Sequence, residues 1–284
     1  VGTMNVSLNA SQCVADSFAE LPAIFDAYCS IGKWKEPVNP DFYGHDVESL
    51  LEEMDHKAVT DALVHHSISR LSHPVDGNKQ LARTIELQPR LHLCWALLSK
   101  ASREYNDFEA YIDEAVRQGV RCFVVFPRWQ ANPFGHDTSL REFVRAGTFH
   151  LLEERRLPVF LDFATRPAGT QDDTDWEALR FLLERHPLLP VIVCECRLRG
   201  GSRLLPGVMD DHPNLHIETS GLWNYMALEQ IAWEWGAERL IYGSRSPWRS
   251  VGLALGMVTM ARLTSKQKAC ILGGNIKRLL EAAL

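Results

Sequence analysis

With 284 residues, 46% of them hydrophobic and 23% charged, the chain has the composition of an ordinary folded protein. Its length suits one large barrel or two average domains. No run approaches the ~20 apolar residues of a membrane-spanning helix, and a net charge of −6 gives no electrostatic footprint for nucleic acid. Residues 1–10 have neither the basic nor the apolar region of a signal peptide, and the seven cysteines (13, 29, 94, 122, 194, 196 and 270) include no C-x-x-C pair. Free thiols in a reducing cytoplasm are the expectation.

In chain order, short β-type runs alternate with helical patterns. Strands are expected at Met4–Leu8, Val59–His65, Leu91–Leu97, Arg121–Phe126, Pro158–Phe163, Pro190–Cys196, Leu215–Thr219 and Leu240–Gly243. The polar stretch Cys29–Asp46 reads as a loop over the end of the first strand. Asp107–Gln118 places Phe108, Tyr111, Ile112, Ala115 and Val116 at helical spacing, with Asp107 as cap and Gly119 as stop. Thr174-x-x-Glu177 reads as a capping box, Thr264-x-x-Gln267 as the start of the last helical stretch, and Gly273-Gly274 as a break or bend in it. This alternation is the arithmetic of an α/β fold, a single (β/α)8 TIM barrel spanning 1–284. A doubly wound sheet would need a glycine-rich phosphate turn after its first strand, and Leu8–Gln12 contains no glycine.

Three C-terminal segments, Asn214–Ser220, Gly236–Pro247 and Ile271–Leu280, resemble the amidohydrolase-related barrels in order and spacing. The resemblance implies a TIM barrel that hydrolyses or decarboxylates small organic acids, lactones or amides. It also implies one or two metal ions, commonly zinc. Their ligands would be a His-x-His on the first strand, a His after the fifth, a His after the sixth and an Asp after the eighth. This sequence departs at each of these places, reading Asn5-Val6-Ser7, Asp162, Glu195 and Arg245. A guanidinium donates and stays charged, so Arg245 would repel a cation where an aspartate would bind it. No metal and no cofactor are therefore expected.

Active sites in such barrels lie at the C-terminal mouth, and alternation along each strand selects the side chains that face it. Asp162 should face inward with Phe160. Glu195 and Arg197 should face inward with Val191 and Val193, and Cys194 and Cys196 outward. Arg245, Glu218 and Arg128 join the mouth, with Arg166 and Arg249 in adjoining loops. His65 and His66 close the second strand, and one of them should face the mouth. Trp129, Trp223 and Trp248 lie just beyond strand ends, and His136 sits in a turn after the fourth strand. The resulting expectation is acid–base chemistry by Asp162 or Glu195, assisted by His65 or His66, without a metal. Arg128, Arg197 and Arg245 would clamp a small-molecule organic acid, with Trp248 against it. The alternative is a non-catalytic barrel that binds a metabolite or protein partner, its charges forming an ion-pair network where a metal once sat. The oligomeric state is not set by the sequence.

Overall fold

Eight parallel strands lie side by side in chain order: β1 (Ile24–Ile31), β2 (Val59–His66), β3 (Leu91–Ala96), β4 (Cys122–Val125), β5 (Val159–Asp162), β6 (Val191–Cys194), β7 (Leu215–Glu218) and β8 (Leu240–Ile241). The computed structural model describes residues 22–127, 138–164, 173–198 and 203–283. Helices join successive strands, as parallel pairing requires. Three backbone hydrogen bonds close the circle: Ala27 N to Tyr242 O at 3.0 Å, Arg245 N to Tyr28 O at 2.7 Å and Ser30 N to Ser246 O at 2.9 Å. The result is the expected (β/α)8 barrel.

Alternation divides the apolar residues into two cores. Phe25, Leu63, Cys94, Cys122, Val124, Phe160, Ile192, Cys194 and Ile241 fill the barrel interior, joined from the last helix by Ile276 and Leu279. Their neighbours along each strand, such as Val159, Leu161, Val191, Val193 and Ile217, pack against the surrounding helices. Local signals set the helix starts. Asp46 accepts from Ser49 N and Asp107 from Ala110 N, and at the expected start by Thr264 that residue and Gln267 form a capping box. The helix Trp176–Arg185 is capped by Asp175, which accepts from Ala178 N, and not by Thr174. At Gly273-Gly274 the last helical stretch widens into a looser turn, as expected.

Two expectations need correction. The first strand is Ile24–Ile31, while Met4–Leu8 lies outside the described residues. The position expected for Asn5-Val6-Ser7 thus falls outside the described residues, and Cys29–Ile31 is strand rather than loop. The register of β1 on β2 slips between Asp26 and Cys29, so strict alternation fails there. The second correction concerns β6, where Ile192 and Cys194 face inward and Val191 and Val193 outward. Glu195 reaches the mouth for another reason: it lies just past the strand with φ of 55°, and this left-handed turn breaks the alternation. Cys196 then packs on the helix side, as expected.

Candidate active site

The mouth holds two carboxylates under guanidinium control. Asp162, at the end of β5, is fully buried, and its Oδ2 accepts from Tyr28 Oη at 2.6 Å, Arg70 Nη1 at 2.5 Å and Arg245 Nη1 at 2.9 Å. Its Oδ1 takes the Ala164 N–H at 3.0 Å. Burial alone would raise its pKa, but Arg245 and Arg70 hold it far below the usual carboxylate range. Its accepting positions are largely taken. Arg70 anchors this side from the short helix Ser67–Leu71, and its Nη2 also donates to Ala164 O at 2.6 Å.

Glu195 is buried beneath three guanidinium groups. Arg197 donates to Oε2, Arg249 Nη2 lies 3.2 Å from the same oxygen, and Arg245 Nε lies 3.3 Å from Oε1. Burial opposes ionisation, and Arg245, Arg197 and Arg249 outweigh it, lowering the pKa. Arg197 and Arg249 also lie over the Trp223 ring, 5.3 and 4.0 Å from its centroid.

A third carboxyl behaves in the opposite way. Glu218, ending β7, is fully buried and is bonded by Ser220 N at 2.6 Å and Ser220 Oγ at 2.7 Å. Burial pushes its pKa up to about 8, the Ser220 bonds offsetting part of the rise and the charge of Glu195 adding to it. The Ser220 hydroxyl also lies 3.2 Å from Glu195 Oε1 and so bridges the two acids. Two glycines make this packing possible. A Cβ on Gly243 would lie 2.6 Å from Glu218 Oε1, and one on Gly221 would lie 2.7 Å from the Glu195 carbonyl carbon. Asp26, bonded by Ser244 Oγ at 2.5 Å, is also raised by burial, to about 6.

The histidines divide as expected. His65 is buried at the mouth, stacked on Tyr28 with ring centroids 5.1 Å apart, and burial lowers its pKa to about 3. His66 instead caps the helix Ser67–Leu71, its Nδ1 accepting from Ile68 N. Trp248 meets Trp34 edge-on at 5.2 Å, close to Arg245 and Ser246. The structure thus brings together Asp162, Glu195, His65, Arg197, Arg245 and Trp248. Arg128, Trp129, His136 and Arg166 lie outside the described residues.

Sequence reasoning missed Tyr28 and Arg70. Tyr28 was hidden by the misplaced first strand. Arg70 had one available signal, its place in the segment after β2, where loops of such barrels carry sites.

The fit to a metal can be judged from the donors present. At the mouth β1 offers Tyr28 and Ser30 rather than a histidine pair, and two guanidinium groups already neutralise Asp162. Among the described residues, no group of three or more His, Cys, Asp or Glu side chains is arranged to hold a metal ion. These residues do not fit the metal that the resemblance implies.

The amidohydrolase family model matches residues 44–282. The chain belongs to the amidohydrolase family. Among solved structures, an uncharacterized TIM-barrel protein from Bordetella bronchiseptica is 17% identical with a TM-score of 0.68, covering 92% of this chain and 99% of that one. The 5-carboxyvanillate decarboxylase of Sphingomonas paucimobilis is 14% identical with a TM-score of 0.68, covering 91% and 99%. A dihydroxybenzoic acid decarboxylase from Polaromonas, solved with manganese and the inhibitor 2-nitroresorcinol, is 13% identical with a TM-score of 0.66, covering 92% and 97%. No curated protein matches this amidohydrolase sequence. Among the described residues, no helix is long and apolar enough to cross a membrane.

Proposed function

We propose that this amidohydrolase-family barrel acts as a carboxy-lyase on a small aromatic carboxylic acid, by acid–base chemistry without a metal. The carrying observation is the pair Glu195 and Glu218, bridged by Ser220 and with pKa values driven apart. Environments that separate two neighbouring acids in this way assign one to hold a proton and the other to receive it. The decarboxylase neighbours support the substrate class.

The charge balance at the mouth favours an anion. Arg70, Arg197, Arg245 and Arg249 face two strongly ionised carboxylates, Asp162 and Glu195, while Glu218 is mostly protonated at neutral pH. The excess positive charge suits the substrate's carboxylate. In the reaction the ring–carboxylate C–C bond breaks, CO2 leaves, and the ring carbon takes up one proton. Glu218 supplies that proton through the Ser220 hydroxyl to Glu195 at the mouth. Asp162 lacks the link to Glu218 that Ser220 gives Glu195, its oxygens accepting instead from Tyr28, Arg70, Arg245 and Ala164 N. Its role is to hold Arg70 and Arg245 in place.

The test is incubation with 2,6-dihydroxybenzoate and 5-carboxyvanillate, with chromatographic detection of the decarboxylated ring. Turnover that persists after exhaustive chelation is expected, falling about 10²–10⁴-fold in Glu195→Gln. Activity that is lost on chelation and restored by manganese would overturn metal independence. A second reading, a binding barrel without turnover, draws on the saturation of Asp162. Carboxylate binding with no product from any acid tested would select it.

A further inference from the structure

Trp223 follows the short turn Thr219–Gly221 after β7 and makes two kinds of contact at the mouth. Its indole Nε1 donates to the Ser220 backbone oxygen at 2.6 Å. Its ring lies under two guanidinium groups, with the Cζ of Arg249 4.0 Å and that of Arg197 5.3 Å from the centroid. Tryptophan combines the side-chain face that attracts cations best with an N–H that can only donate.

Each contact fixes one side of the bridge between the acids. Ser220 is buried, and its hydroxyl reaches Glu218 Oε2 at 2.7 Å and Glu195 Oε1 at 3.2 Å. That hydroxyl can serve both acids only while its backbone is held. The Ser220 N–H is held by Glu218 Oε1, and Trp223 holds the carbonyl. On the other side, Arg197 and Arg249 both donate to Glu195 Oε2. Two cations on one oxygen repel each other. Arg197 is enclosed, whereas the Arg249 side chain keeps 13% exposure and so has a path to solvent. A ring that attracts both cations offsets that repulsion and keeps Arg249 from leaving.

We propose that Trp223 is a positioning residue of this site: its N–H holds Ser220 between the acids, and its ring holds Arg197 and Arg249 on Glu195. Its effect on turnover rests on the carboxy-lyase reading above, whereas the two attachments are measured without turnover. It acts through these neighbours and takes no part in the proton transfer itself.

The experiment compares the full chain with Trp223→Phe, which keeps a ring and loses the N–H, and Trp223→Leu, which loses both. With 2,6-dihydroxybenzoate or 5-carboxyvanillate, Trp223→Phe should lower kcat about tenfold, as depriving a buried carbonyl of its donor does, with KM within about twofold of native. Trp223→Leu should lower kcat as much and also raise KM roughly fivefold, since the cations are no longer held for the substrate carboxylate. The same KM in both variants, or native kcat in Trp223→Phe, overturns the positioning role. NMR of the 15N-labelled protein supplies the readout without turnover. The Trp223 indole N–H, identified by its absence from Trp223→Phe, should exchange with solvent at least ~tenfold more slowly than a free indole. The Arg249 guanidinium signal, identified with Arg249→Lys, should lose its protection in Trp223→Leu and keep it in Trp223→Phe. Fast indole exchange, or an Arg249 still protected in Trp223→Leu, overturns the proposal whether or not any acid is turned over. Protection as expected with no product removes the carboxy-lyase and leaves Trp223 in its role. If Trp223→Leu fails to fold, Trp223→Met takes its place as a bulky side chain without a π face.

Discussion

Asp162 and Glu218 end strands two places apart in the same barrel, both fully buried, yet they hold opposite charge states. Beside Asp162 stand two guanidinium groups and a tyrosine hydroxyl. Beside Glu218 stand a serine hydroxyl, a backbone N–H and the negative charge of Glu195. Desolvation pushes both acids toward the neutral form, so burial does not distinguish them. The difference comes from the neighbours. One half of the mouth is an ion cluster that needs its charges, and the other is a protonated reservoir that burial protects.

The largest expected effect breaks the ion-cluster half. Arg245→Ala leaves Asp162 with less compensation and deprives Glu195 of one cation, and should cost about 3–5 kcal/mol in denaturant unfolding. Combining it with Asp162→Asn should restore part of the loss, since the amide no longer needs a counterion. No rescue would mean that the two residues do not act as one unit.

A smaller effect sharpens the other half. Because the folded-state pKa of Glu218 is raised from 4.5 to about 8, its contribution to stability is fully present below pH 4.5 and lost as pH rises through 8. Asp26 follows the same sign and is half titrated at about pH 6, while His65 and His216, lowered to about 3, have the opposite sign. All three are common to the native protein and the Glu218 variant and cancel in their difference. Between pH 6.5 and 8 the native protein should therefore lose about 2 kcal/mol more than Glu218→Gln. Parallel stability profiles would show that Glu218 is ionised throughout that range.

The smallest effect concerns the thiols between these halves. Cys194 faces the interior near Asp162 and Glu218, and burial holds its thiol protonated, while Cys196 is buried on the helix side. Among the cysteines of the described residues, the half-exposed Cys270 should react first with a thiol reagent in the folded state, with Cys194 and Cys196 silent. Mass mapping of the labelled peptides checks this, and early labelling of Cys194 would place it on an open path.

The barrel was legible because seven strands carry short apolar runs between capped helices, and each was placed to within two residues at either end. The first was not. Ile24–Ile31 has a buried aspartate and a serine within it, and its register slip hides the period that marks a strand. Asp162 faced inward as alternation required, whereas Arg245 lies past the end of β8 with φ of 54° and reaches the mouth through a left-handed residue. Glu195 arrived there by a positive φ that no pattern of polarity encodes, so a wrong parity led to the right address. Arg70 lies 92 residues from the acid it binds, and a pairing over that distance has no local signature.

The seam between β1 and β8 has a consequence for how the protein comes into being. Arg245 N bonds Tyr28 O, so the residue that charges the mouth also stitches together the two ends of the circle. Tyr28, Asp162 and Arg245 meet only once the chain has been synthesised past β8. A nascent chain that has emerged as far as β7 has Asp162 and Arg70 but lacks the second guanidinium. The mouth is thus completed only when the segment after β8 docks on β1, and a product truncated before Arg245 would lack that electrostatic centre.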